Sequence, residues 1–76
     1  MNTREEQDRQ FQIEYLTNEL ITMLMNERNM TMEQAMDTVY DSHTYEKVER
    51  PSTGLYYQSP VYVMDMLCEE LNVEHS

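Results

Sequence analysis

Residues 51–60 read PSTGLYYQSP and hold the only glycine and both prolines of the 76-residue chain. Pro51 fixes its backbone φ angle and cannot continue a helix, whereas Gly54 can take the positive φ that a tight turn often requires. We therefore expect the helix before this segment to stop near Arg50. Residues 55–57, Leu-Tyr-Tyr, are predicted to be extended and to lie across the helices as a lid over the core.

The end of this segment carries a strong helix start signal. Ser59 can cap a new helix by accepting a hydrogen bond from a free backbone N–H group, and Pro60 suits the first helical position because no N–H is needed there. The last helix is predicted to run from Pro60 to about Val73. Its main apolar stripe is Met64, Leu67 and Leu71, with Val61, Val63 and Cys68 on the edges.

The longest predicted helix runs from about Glu5 to Arg28, and residues 1–10 are polar and expected to fray at the start. Apolar residues recur along it with helical spacing. A helix with two apolar sides either sits centrally in a bundle or presents one side to another chain. The two sides here are a main stripe, Ile13, Leu16, Leu20, Met23 and Leu24, and a looser flank, Phe11, Tyr15, Ile21 and Met25.

A second helix is predicted from Met32 to Ser42, because Thr31 and Gln34 match the capping-box pattern. A short helix or helical turn, residues 44–50, is expected to follow, with Thr44 as its cap. The apolar stripe of the second helix is interpreted as core: Met32, Ala35, Met36, Val39 and Tyr40.

These elements predict an all-α fold, a small bundle of three main helices with a short fourth helix and a Pro/Gly hinge. Residues 1–76 are expected to form one domain, since a chain of this length buries only about 60–65% of its unfolded surface. The stability margin of such a domain is small. Association with another chain would enlarge it.

The net charge and the single cysteine limit the classes of binding partner and indicate the cellular compartment. The net charge is −10, and both halves of the chain are acidic. Such a surface repels phosphate backbones and anionic lipids, which argues against direct nucleic-acid or membrane binding and leaves a basic protein partner open. Cys68 has no second cysteine to pair with and is expected to be an inert core thiol in a reducing compartment. The absence of a signal-peptide pattern predicts a cytoplasmic protein.

The sequence offers little for catalysis or for metal and cofactor binding. A nucleophile needs a base and an orienting group, and the candidates His43, His75 and Cys68 are far apart in sequence. His43 has no second histidine or cysteine at metal-ligand spacing. Gly54 alone cannot form a phosphate-binding loop. We therefore expect neither an enzyme nor a cofactor-binding protein.

Six apolar residues lie off the main stripes of the first and last helices and form our candidate interface: Phe11, Tyr15, Met25, Tyr62, Met66 and Val73. Tyrosine and methionine are enriched at protein interfaces, where they form adaptable contacts. The sequence therefore predicts a protein–protein interaction module that is a homodimer. The alternative is an acidic, antitoxin-like inhibitor or nucleic-acid mimic that neutralises a basic partner.

A helix-turn-helix regulator ranks third, because two short helices follow one another before the Pro/Gly segment. In DNA-binding proteins of this kind the second helix carries base-reading and phosphate-binding side chains. Here the two bases of that helix, Lys47 and Arg50, are each offset by a glutamate. The junction, residues 41–43, also lacks the glycine often found in such turns.

Three short segments resemble the signature of short uncharacterised bacterial proteins that end in an acidic helix. They are 42–45 (S-x-T-Y), 53–56 (T-G-L-Y) and 59–63 (S-P-x-Y-V). The resemblance covers residues 31–71, and the spacing of the last two segments is its most specific part. Such proteins are often encoded near partner genes, so the resemblance implies an accessory or antitoxin-like role. It implies no activity and no functional residue.

Overall fold

The computed structural model describes residues 3–75, and the side chains of residues 6–72. This part of the chain is all-α, as predicted, and contains no strand. Two single 3₁₀ turns, Pro51–Thr53 and Leu55–Tyr57, connect the third and fourth helices. The four α-helices are α1 (Thr3–Glu27), α2 (Met32–Tyr40), α3 (His43–Glu49) and α4 (Pro60–His75).

One apolar core joins all of these helices. The main stripe of α1 contributes four of the core residues, and α4 contributes another four. Residues 3–10, which we expected to fray, belong to α1. Ile21 is also buried, although the sequence placed it on the looser flank. The core residues are Ile13, Leu16, Leu20, Ile21, Leu24, Ala35, Val39, Val48, Leu55, Val63, Met64, Leu67 and Leu71.

The connection from α1 to α2 is a short turn with the predicted capping box. Asn29 takes a left-handed φ of 55°, which asparagine tolerates better than most residues. The Thr31 hydroxyl accepts from the Gln34 N–H at 3.1 Å, and the Gln34 side-chain oxygen accepts from the Thr31 N–H at 3.0 Å. These reciprocal bonds set the start of α2 directly after α1.

The predicted core stripe of α2 is wrong for three of its five residues. Ala35 and Val39 are fully buried, whereas Met32, Met36 and Tyr40 have exposed fractions of 59%, 40% and 48%. The reason is geometric: the helix is nine residues long and packs on one side only. Positions 35 and 39 face that side, and positions 32, 36 and 40 lie on the adjacent flank.

α3 is held to α4 by a carboxylate. Ser42, and not Thr44 as predicted, is the N-cap of α3, and its hydroxyl accepts from the Tyr45 N–H at 3.0 Å. Glu70 of α4 accepts from the His43 N–H at 2.8 Å and from the Thr44 N–H and hydroxyl at 2.9 and 2.8 Å. The first-turn N–H groups of α3 therefore have a partner on a helix 26 and 27 residues further along the chain.

The segment between α3 and α4 is coiled into 3₁₀ turns, so the prediction of an extended Leu-Tyr-Tyr run is wrong. Gly54 joins the two turns in the left-handed region, at φ 67° and ψ 9°. Each turn is closed by backbone hydrogen bonds between residues three positions apart, and an extended segment cannot form such bonds within itself. Leu55 is buried as expected, and Ser59 caps α4 by accepting from the Tyr62 N–H at 3.2 Å.

Truncation of a core residue of α4 should destabilise the protein far more than truncation of an exposed one. Leu67 is fully buried, so Leu67→Ala is expected to lower the free energy of unfolding by about 2–5 kcal/mol. Val61 is exposed on the same helix, and Val61→Ala should change it by less than about 0.5 kcal/mol. Urea titrations followed by circular dichroism measure both. Equal losses would contradict the packing of α4 described above.

Glu70 should make stability depend on acid pH. Partial burial favours the protonated form, but the bonds from His43 and Thr44 outweigh it and hold the Glu70 pKa below its usual value of 4.5. A lowered pKa in the folded state adds stability above pH 4.5, and this contribution disappears as pH falls through the folded-state pKa. Glu70→Gln is therefore expected to cost about 0.5–2 kcal/mol at pH 7.

The cost of Glu70→Gln should shrink toward zero as the pH is lowered below 4.5, and thermal unfolding measured between pH 7 and pH 3 follows it. Glu69→Gln, an exposed change on the same helix, is the matched control and should leave stability nearly unchanged. A Glu70→Gln cost that stays constant down to pH 3 would show that the carboxylate charge contributes nothing to the contact.

Candidate interaction surfaces

The six candidate interface residues lie on two helices, and the five with described side chains are either exposed or half-buried. Phe11, Tyr15 and Tyr62 are exposed, with exposed fractions of 69%, 60% and 53%. Met25 and Met66 are half-buried and pack against the core. Val73 lies in α4, but its side chain is outside the described residues. Participation of these residues in an interface stays a prediction.

α1 presents a continuous strip on its outer side. Five residues follow one another at spacings of four, three, four and three, which places them on one face of a helix. This face lies opposite the buried stripe, and four of the five side chains are exposed. No member carries a charge. We call this strip the α1 seam, and it consists of Phe11, Tyr15, Asn18, Thr22 and Met25.

The candidate residues of α4 do not belong to the α1 seam. Tyr62 lies on the outer side of α4 together with the exposed Asp65 and Glu69. Because α1 and α4 both turn their buried stripes toward the same core, their outer faces look toward different sides of the molecule. The exposed candidates among the described residues therefore lie on two separate helix faces. Phe11, Tyr15 and Met25 are brought onto one face, and Tyr62 is not.

A second exposed apolar surface, which we call the α2 stripe, was missed by the sequence analysis. It consists of Met32, Met36 and Tyr40, one helical turn apart. The Tyr40 ring packs edge-to-face against Tyr45 of α3, with ring centroids 5.1 Å apart and an angle of 82°. Local pattern could not separate this stripe from the core, because it lies beside Ala35 and Val39 on the same short helix and its exposure depends on which helices pack around α2.

Both surfaces lie in negative surroundings. Burial raises the pKa of Tyr45, and the charges of Glu49, Tyr40 and Glu14 add to the effect, against an opposing contribution from the Thr17 hydroxyl. On the α1 seam, a hydrogen bond with Glu19, followed by the Glu19 charge, raises the pKa of Tyr15. Each tyrosine hydroxyl is therefore protonated at neutral pH and available as a donor.

The titratable groups of the described residues are scattered. The exposed His43 lies 3.7 Å from Glu46 and forms a surface ion pair only when it is protonated. Cys68 is free and half-buried against the core. Within residues 6–72, no group of three or more His, Cys, Asp or Glu side chains is placed to hold a metal ion.

Comparisons of the chain with protein-family models, with curated proteins and with solved structures find no match. In the part of the chain that the structure describes, no helix has the length and apolarity required to cross a bilayer. The exposed apolar surfaces are therefore the features of the molecule that bear on its function.

Methionine oxidation should separate the α2 stripe from the core. Met32 and Met36 are exposed, whereas Met64 has an exposed fraction of 5%. Peroxide oxidises accessible thioethers first, so Met32 and Met36 are expected to become sulfoxides several times faster than Met64. Peptide mass spectrometry after brief peroxide treatment of the folded protein gives the three rates. Similar rates for the three methionines in the folded protein, as in protein unfolded in urea, would contradict the exposure of the α2 stripe.

Proposed function

We propose that this protein is a non-enzymatic interaction module that forms a homodimer through the α1 seam. The observation that supports the proposal is the exposure of Phe11 and Tyr15, one helical turn apart, on the side of α1 that faces away from the core. Large aromatic side chains in such positions lose contact with water when a second chain covers them. A small acidic domain gains stability in the same step.

The seam suits a second copy of this chain because it carries no charge. The protein has a net charge of −10, so most pairings of two copies bring carboxylates together. The seam itself places no carboxylate at the centre of such a pairing along about 21 Å of helix, from Phe11 to Met25. Its alternating spacing of four and three residues is the pattern by which two helices pack side by side. A two-fold axis then makes the same surface serve both copies.

The acids beside the seam limit the affinity and give it a characteristic salt response. Glu14 and Glu19 flank the strip and come near their counterparts when two copies pair. Salt screens this repulsion, so dimerisation should stay constant or strengthen as salt is added. An acidic inhibitor that neutralises a basic partner responds in the opposite direction, because salt screens the attraction.

The proposal also includes the bundle arrangement predicted from the sequence. In this arrangement α1, α2 and α4 are the main helices, α3 is the short fourth helix, and residues 51–60 are the hinge. Tyr62, Met66 and Val73 of α4 add a second contact on a different side of the molecule. The unpaired Cys68 and the acidic surface fit a cytoplasmic bacterial protein with an accessory or antitoxin-like role.

Replacement of the two exposed aromatics of the seam should abolish self-association. Multi-angle light scattering at high micromolar concentration is expected to give twice the chain mass for the wild type and the single-chain mass for Phe11→Gln/Tyr15→Gln, with affinity lowered at least about tenfold. Tyr57→Gln removes an equally exposed aromatic outside α1 and should remain a dimer. Tyr62→Gln measures the contribution of α4. A single-chain mass for the wild type under these conditions would refute the proposal.

A further inference from the structure

α2 carries two parallel ridges of different chemistry. The apolar ridge is the α2 stripe, and the acidic ridge beside it consists of the exposed residues Glu33, Asp37 and Asp41, each one position after a member of the stripe. Both ridges repeat every four residues and therefore run side by side along the helix. Residues 32–40, MEQAMDTVY, contain no basic residue that could neutralise the acidic ridge.

A groove between α1 and the α2–α3 pair continues the apolar ridge. Its cavity of about 300 Å³ is closed on one side by Tyr40 and Tyr45 and on the other by α1 residues that include Ile13, Thr17 and Glu14. Apart from Ile13 the lining is polar or amphipathic, since it also includes Gln10, Asn18 and the hydroxyl of Thr17, and Glu14 adds a further negative charge. The same carboxylate, which lines the groove, is among the groups that raise the pKa of Tyr45.

The chemistry of these ridges selects the occupant. Methionine and tyrosine adapt to different apolar partners, and a helix with anchors one turn apart fits a stripe of the same period. The acidic ridge requires positive charge along one edge of that helix. A second copy of this chain, with a net charge of −10, and nucleic acid are both repelled. We propose that the α2 stripe, its acidic ridge and the adjoining groove bind a basic amphipathic helix of another protein.

The α2 residues of this site do not belong to the α1 seam, but the groove shares Asn18 with it, so binding is also measured in the dimerisation variant described below. The probe for the test is a fluorescently labelled synthetic helix of leucine and lysine, with leucines spaced to form one apolar face. A leucine–glutamate peptide of the same pattern controls for apolar attraction alone. Fluorescence anisotropy with the full chain should show binding of the lysine peptide only, and the affinity should fall as salt is raised.

Two matched double variants separate the proposed site from general attraction to an acidic protein. Glu33→Gln/Asp37→Asn removes two charges from the acidic ridge and is expected to weaken binding about tenfold. Asp65→Asn/Glu69→Gln removes two exposed charges at the same spacing on α4 and should weaken it less than about twofold. Equal losses in the two variants would overturn the proposal, since attraction would then depend on net charge alone.

The apolar part of the site has its own test. Met32→Gln/Met36→Gln keeps the charge and changes only exposed side chains, so the fold should persist, and the lysine peptide should bind about tenfold more weakly. In the unmodified protein, amide chemical shifts should change mainly in residues 32–41 and in the α1 residues that line the groove. Unchanged affinity in the methionine variant, or shift changes centred on α4, would refute the site. Running the series also in Phe11→Gln/Tyr15→Gln keeps this result separate from dimerisation.

Discussion

The contact between Glu70 and the start of α3 determines how the short elements of this fold are held. One carboxylate accepts three hydrogen bonds from His43 and Thr44, and both residues begin a helix too short to be stable alone. With α3 fixed on α4, Val48 reaches the core and the 3₁₀ turns that follow place Leu55 beside it. The position of α3 also sets Tyr45, which forms one wall of the groove at α1.

The shortness of α2 and α3 explains why the molecule retains exposed apolar surface. A helix of nine residues offers few positions to the core, so α2 buries Ala35 and Val39 and leaves its stripe in solvent. α1 is much longer than the helices packed on it, and Phe11 and Tyr15 on its outer side are exposed. The two surfaces differ in charge. Two separate acids, Glu14 and Glu19, flank the α1 seam, whereas a continuous acidic ridge runs along the α2 stripe. We therefore propose a copy of the same acidic protein for the seam and a basic partner for the stripe.

Local signals in the sequence predicted much of this fold. The capping box at Thr31, the cap at Ser59 and the buried stripe of α1 follow from side-chain chemistry and periodicity that operate within a few residues. The errors arose where tertiary contacts decide the outcome. Whether the flank of α2 is covered depends on which helices pack around it, so the exposure of the α2 stripe could not be recognised from local pattern. The hydrogen bonds of Glu70 could not be recognised either, because their partners lie 26 and 27 residues away in sequence.

The short turn around Asn29 has a kinetic consequence. It connects α1 directly to α2, so their contacts form between near neighbours in sequence and close a small loop at little entropic cost. The hydrogen bonds between Glu70 and the start of α3 instead close a loop that contains all of α3 and both 3₁₀ turns. Contacts between α1 and α2 therefore cost less loop-closure entropy than contacts that need α4, and the leucines on the inner side of α1 lack their α4 partners until α4 has been synthesised. In that interval the nascent chain exposes apolar side chains that later belong to the core. Such side chains are the kind of surface that a ribosome-bound chaperone binds.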